Sequence, residues 1–142
     1  MKASIFLFIF IFSFQTLACT LAERAVNAWF ESRRDALRNV KRDAQIDLNA
    51  PLISVRRVNM MDINKKSILD EKGMPIQTRE YEYYNRNGKK VLIQEHTAGH
   101  KGTDDAGRSP HFNVRDPESP NRGVFKDCRP PCREHYNIKT SP

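Results

Sequence analysis

The dipeptide Asn87-Gly88 sits between two short runs of strand-forming residues, and this constrains the middle of the chain more than any other feature. Before it, Arg79-Glu80-Tyr81-Glu82-Tyr83 alternates polar and aromatic side chains; after it comes Lys89-Lys90-Val91-Leu92-Ile93-Gln94. Asn-Gly reaches positive φ at low cost and closes a two-residue type I′ turn whose twist suits paired strands. The spacing predicts antiparallel strands over 78–84 and 89–94, with Glu95-His96 delivered at the end of the second. Leu52-Ile53-Ser54-Val55 and Val58-Asn59-Met60 are further short strand candidates, and Asp70-Glu71-Lys72-Gly73 reads as a turn.

The front of the chain has a different composition. Residues 1–22 contain no acid, one base (Lys2) and five of the eight Phe. A basic start, an apolar run over 3–14 and small residues at Thr16-Leu17-Ala18 and Thr20-Leu21-Ala22 give the layout of a secretory signal peptide. This predicts a secreted or periplasmic protein with no transmembrane domain after cleavage. An uncleaved anchor and lipid attachment at Cys19 are the alternatives. Without residues 1–22 the chain carries 23 basic and 17 acidic side chains, a net charge of +6. Its apolar content supports only a modest core, which excludes a multi-domain enzyme, a membrane channel and a coiled coil.

Residues 23–50 form a basic amphipathic segment. Val26, Trp29, Phe30, Leu37, Val40 and Ala44 recur at helical steps over 23–46, with Arg33, Arg34, Arg38, Lys41 and Arg42 on the other face. That basic face is either a solvated surface or one that attracts nucleic acid or membrane. Asn49-Ala50-Pro51 ends the segment. The expected fold is therefore α+β: an N-terminal amphipathic helix, a short antiparallel hairpin or sheet, and an irregular His-rich tail. Residues 51–142 make up the main domain.

All four histidines, His96, His100, His111 and His135, lie in the last 47 residues. At the end of a strand, Glu95 and His96 can both bend toward one pocket, where a carboxylate beside an imidazole is the minimum for metal-assisted phosphodiester hydrolysis. His96-Thr97-Ala98-Gly99-His100 has the spacing of a zinc-protease helix, but it lacks the glutamate after the first histidine, and its glycines oppose a helix. On a loop, the same two histidines can enclose one metal. In Pro110-His111-Phe112-Asn113-Val114-Arg115, strand alternation groups His111, Asn113 and Arg115 opposite Phe112 and Val114. Cys128 and Cys132 predict a disulfide in an exported chain, with a zinc half-site that includes His135 as the alternative.

Together, Arg79-Glu80-Tyr81-Glu82-Tyr83, Val91 through His100, Pro110 through Arg115 and His135-Tyr136 resemble a bacterial polymorphic-toxin nuclease domain. The group is the HNH/endonuclease VII superfamily, in the branch named for a Glu-His-His-His signature, and the resemblance covers roughly residues 78–137. It implies a ββ-metal core that cuts nucleic acid with one divalent ion (Mg²⁺, Mn²⁺ or Zn²⁺), and a possible immunity protein as partner. Under the resemblance His96 is the general base, Glu95 or Glu80 the signature acid, and Asn113 an orienting residue. His100, His111 and His135 are ligand or phosphate-contact candidates. The tract Lys101-Gly102-Thr103-Asp104-Asp105-Ala106-Gly107, the Cys128/Cys132 insert and the lack of a readable helix after His111 depart from the family pattern.

The positive charge suits a polyanion, with Lys101, Arg108 and Arg115 as substrate contacts. The leading expectation is an exported metal-dependent endonuclease that acts as a toxin or effector. The competing ones are a secreted, disulfide-stapled protein that binds metal or polyanions without catalysis, and an inactive nuclease descendant.

Overall fold

The computed structural model describes residues 27–62, 64–100, 105–120, 125–128 and 133–140. The predicted signal peptide, Lys101 and Cys132 lie outside the described residues. The elements run β1 (Ala28–Phe30), α1 (Arg33–Asp43), β2 (Ser54–Asn59), β3 (Gln77–Tyr84), β4 (Lys90–His96), α2 (Asp105–Arg108), β5 (His111–Arg115) and β6 (Tyr136–Ile138). All six strands form one sheet in the order β1-β6-β5-β4-β3-β2. Only β1 and β6 are parallel; the other pairs are antiparallel.

The segment over 23–50 departs from the single helix expected. Ala28–Phe30 is a strand paired with Tyr136–Ile138, and the helix begins after it. Local periodicity could not anticipate this, because the partner strand lies more than a hundred residues away. The helix start itself has a local cause. Ser32 is the N-cap: its Oγ accepts from the Asp35 backbone N–H at 3.1 Å and donates to the Asp35 carboxylate at 2.7 Å. Asp35 also places negative charge in the first turn, while Lys41 and Arg42 lie in the last. The helix ends at Asp43, and Gln45 follows with φ of 59°.

One face of α1 packs on the sheet. Ala36, Val40, Ala44 and Ile46 join Val91, Ile93, Phe112, Val114 and Tyr136 in one buried cluster. Buried Asp43 ties the helix to β6, accepting from the Tyr136 hydroxyl at 3.0 Å and from Arg133 at 3.2 Å.

The hairpin forms at the predicted place, with Tyr84 opposite Lys90 and Tyr83 opposite Val91. Its turn is not type I′, which needs positive φ at two residues. Here Gly88 alone is positive, at 71°. Asn85 is the reason: its Oδ1 accepts from the backbone N–H groups of Asn87 and Lys89, making a longer loop with one left-handed residue. Upstream, a single strand replaces the two short candidates. The tail is also more ordered than expected, because β5 and β6 are interior strands of the sheet.

Candidate functional site

Register assigns each side chain to a face, because successive residues of a strand alternate. Val91, Ile93, Phe112, Val114 and Tyr136 meet α1. Their neighbours Gln94, His96, His111, Asn113 and Asn137 therefore point to the other face. Cross-strand pairing lines them up: His96 lies opposite His111, Gln94 opposite Asn113, and His111 opposite Asn137. All five are buried, with His111, Asn113 and Asn137 fully inaccessible. The face of the sheet away from the helix is thus a buried polar surface.

His100 joins this surface from the loop after β4. Gly99 makes the approach possible: its φ is 62°, and a Cβ there would lie 1.8 Å from the Arg108 carbonyl oxygen. The His100 backbone N–H then donates to the Gly107 carbonyl at 2.7 Å, closing the loop on α2. His100 Nε2 comes within 3.0 Å of His96 Nδ1. One nitrogen from each of His96, His100 and His111 falls within 4.8 Å of the others. His135 stands beside this group, its ring 4.7 Å from that of His111. Its Nδ1 lies 3.1 Å from Asn27 Oδ1, and its carbonyl accepts from the Ala28 N–H.

Two hydrogen bonds fix the rings. His111 Nδ1 lies 2.7 Å from the Ser109 carbonyl, so it carries the proton and Nε2 presents a lone pair. The Asn113 amide nitrogen lies 3.1 Å from His96 Nδ1. Burial lowers the His96 pKa to about 2 and the His111 pKa to about 3, reinforced by the neighbouring imidazoles and Arg115. Burial also lowers the His100 pKa, again with His135 and Arg115 contributing. The three rings are therefore neutral near pH 7, the protonation state a metal ligand needs.

Among the described residues, His111 Nε2, Asn113 Oδ1 and both amide atoms of Asn137 have no hydrogen-bond partner despite full burial. Unsatisfied buried polar atoms cost about 1–3 kcal/mol each, so a cluster of them marks a site built for something else. The donor set fits a divalent metal. Two nitrogens bound to one tetrahedral ion at ~2.0–2.1 Å stand roughly 3.3 Å apart, close to the 3.0 Å between His96 and His100.

Glu95 and His96 do not share the pocket expected from their adjacency. The ladder continues through His96, which pairs with His111, so alternation still holds and Glu95 faces the helix. There its carboxylate takes hydrogen bonds from Arg33 and from the Tyr81 hydroxyl at 2.6 Å. Burial alone would raise the Glu95 pKa, but the Arg33 and Tyr81 hydrogen bonds and the Arg33 charge outweigh it and hold the group below the ordinary carboxylate range. A depressed carboxyl stabilises the fold above its unfolded value of ~4.3, and that contribution is lost as pH falls through the folded value. Urea midpoints at pH 7 and pH 3 are expected to differ more in the wild type than in Glu95→Gln. Equal differences would show that this network does not couple to folding.

The other acid, Glu80, is on the histidine face. It is 2 % exposed and accepts from Gln94 Nε2 at 2.7 Å and from Arg56. Arg115 is half-buried and follows Asn113 on the same strand face. Arg108 is exposed at the end of α2. Cys128 is disulfide-bonded. Sequence reasoning missed Asn137 and Gln94. The alternation in Tyr136-Asn137-Ile138 carried a signal for Asn137, but its burial depended on β5 lying alongside.

A family model for HNH/Endo VII superfamily nuclease toxins of the Glu-His-His-His type matches residues 67–137. The chain belongs to this family. No curated protein and no solved structure matches it. The matched stretch of this nuclease toxin domain includes β3, β4, β5 and the first two residues of β6, and with them all four histidines. β1 and α1 precede the match, yet they complete the sheet edge and the core beneath the histidines.

Proposed function

We propose that this nuclease toxin domain is a metal-dependent endonuclease in which His96, His100 and His111 hold one divalent ion. The observation that carries this is the convergence of three neutral imidazoles within 4.8 Å, with the His111 Nε2 lone pair unpartnered among the described residues. A divalent cation in this position supplies Lewis-acid polarisation of a phosphoryl oxygen and stabilises charge developing on the phosphate. An all-imidazole set favours Zn²⁺ over Mg²⁺, which prefers oxygen ligands. His135 is half-buried at the edge of the group with Nδ1 against the Asn27 side-chain oxygen, which puts its lone pair on Nε2, the tautomer a general base toward an attacking water needs. Arg115 supplies positive charge on the same face.

A second reading has its own observation. Asn113 contacts His96 Nδ1, and one lone pair cannot serve both an amide N–H and a metal. If the Asn113 amide is turned so that its Oδ1 accepts from His96 Nδ1–H, Nε2 keeps the lone pair, His96 is the proton acceptor, and the ion rests on His100, His111 and a further group.

The deciding experiment incubates the protein with plasmid DNA and with RNA, with and without EDTA, and measures zinc affinity by titration. Wild type is expected to cleave, and EDTA to stop it. His96→Ala is expected to lose cleavage and zinc affinity together, while His135→Ala loses cleavage and keeps zinc. Zinc affinity retained in His96→Ala would establish the second reading. Zinc binding without cleavage of either polymer would leave the chain as a binding protein or an inactive descendant.

Export through residues 1–22, a Cys128–Cys132 disulfide and an immunity protein that neutralises the toxin belong to the same proposal. The apolar run behind Lys2, the disulfide at Cys128 and the toxin family support them in turn.

A further inference from the structure

A second basic feature lies away from the histidines, on the helix side of the sheet. A cavity of about 730 Å³ opens between the C-terminal half of α1 and the hairpin turn. Its lining brings together Arg38, Arg42, Arg86 and Asp35, with Asp43 and Asp47 paired to Arg42 and Arg86 just outside it. Ile46 and Leu48 form an apolar wall. We infer that this cavity is a second binding site, for a phosphate group that carries a nucleobase.

Two of the guanidinium groups are already oriented. Arg42 donates to the Asn39 side-chain oxygen and, at 3.2 Å, to Asp43. Arg86 donates to Asp47 at 2.7 Å. Arg38 makes no ion pair among the described residues and is exposed, so it is available to a ligand. The site is built rather than incidental. The Arg86 backbone N–H donates to the Gln45 carbonyl at 2.9 Å, and Gln45 in turn reaches the Asp127 carbonyl at 3.0 Å. These bonds join the helix end, the hairpin turn and the segment around Asp127 into one frame.

The chemistry selects the ligand class. Guanidinium groups bind phosphate through paired N–H donors. Half-exposed Leu48, over the buried Ile46, offers apolar surface for a flat ring. Inorganic phosphate would leave that wall unused, and a nucleoside would leave the guanidiniums unused. The volume lies within the ~300–1,000 Å³ of small-molecule sites. Because helix and sheet separate this cavity from the histidines, a strand cut at one site reaches the other only by wrapping around the molecule. A free nucleotide needs no such path.

The test uses the full chain in EDTA, so that no cleavage occurs, and measures binding of adenosine monophosphate, adenosine, inorganic phosphate and a short fluorescent single-stranded oligonucleotide. Adenosine monophosphate is expected to bind saturably and more tightly than adenosine or phosphate. Arg38→Glu should weaken it by about tenfold or more, the loss of a charge-assisted hydrogen bond plus repulsion. Arg38→Lys should recover part of the affinity, which separates charge from folding. His111→Ala should bind it like wild type, so failure of the histidine site does not affect this outcome. If the oligonucleotide binds more tightly than adenosine monophosphate and loses affinity in Arg38→Glu, the ligand is a nucleic-acid strand; the reverse order assigns a free nucleotide. Equal affinities in wild type and Arg38→Glu, or equal affinities for adenosine and its monophosphate, would overturn the inference.

Discussion

His111→Ala is expected to abolish nucleic-acid cleavage and to reduce zinc affinity by more than the ~10–100-fold typical of losing an outer-shell partner. Within the proposed metal site, His111 is the best prepared of the three imidazoles. Its ring is fully buried on an interior strand. The Ser109 carbonyl holds its Nδ1 proton, which commits Nε2 to acceptance. Burial lowers its pKa to about 3, so no proton competes for that nitrogen at neutral pH. A folded His111 with so depressed a pKa also weakens the protein in acid. The unfolded chain takes up protons below ~6.5 and the folded one does not, so this stability contribution declines as pH falls from ~6.5 toward 3. Replacing the ring with Ala removes the ligand and that penalty together. The variant should therefore lose activity and metal while keeping its circular dichroism, and its urea midpoint should vary less between pH 7 and pH 4. His111→Ala protein that still binds zinc as tightly as wild type would remove the imidazole group as the metal site.

How much of this was legible in the sequence depends on the range of the interaction. The hairpin was, because Asn87-Gly88 and its flanking runs are local signals. The division of β5 into His111 and Asn113 on one side, with Phe112 and Val114 on the other, followed from period two alone. The clustering of histidines late in the chain pointed to residues that the fold gathers into one group. What could not be read was tertiary. Trp29 and Phe30 continue a helical stripe, yet they belong to a strand whose partner is Tyr136–Ile138. Glu95 and His96 were expected to converge at a strand end, but pairing with β5 carries the ladder through both and sends them to opposite faces. Glu80 was an equal candidate for the acid, and only register places it on the histidine side. The direction of His100 was open until Gly99 was seen packed on the Arg108 backbone.

The largest stability effect is expected from Phe112→Ala. Phe112 is fully buried at the middle of the core, opposite Glu95 on β4 and Tyr136 on β6. Arg33 lies over its ring, 5.5 Å from the centroid, so the side chain also steadies the residue that holds Glu95. Removing a buried Phe side chain costs ~3–5 kcal/mol, a large part of the ~5–15 kcal/mol that holds a domain together. The cavity would open directly behind the site, because His111 and Asn113 flank Phe112 on the same strand. Zinc should then matter more than in wild type. A ligand that binds only the folded state stabilises it in proportion to the logarithm of its concentration over Kd. Urea unfolding with and without zinc is the measurement. Phe112→Ala is expected to unfold at a much lower midpoint with an unchanged slope, and to regain part of the loss with zinc. The double variant Phe112→Ala/His111→Ala should regain none, because the metal site would be gone while the cavity remained. A loss below ~1 kcal/mol in Phe112→Ala would mean that the core is not organised around this ring, and zinc rescue in the double variant would place the metal elsewhere.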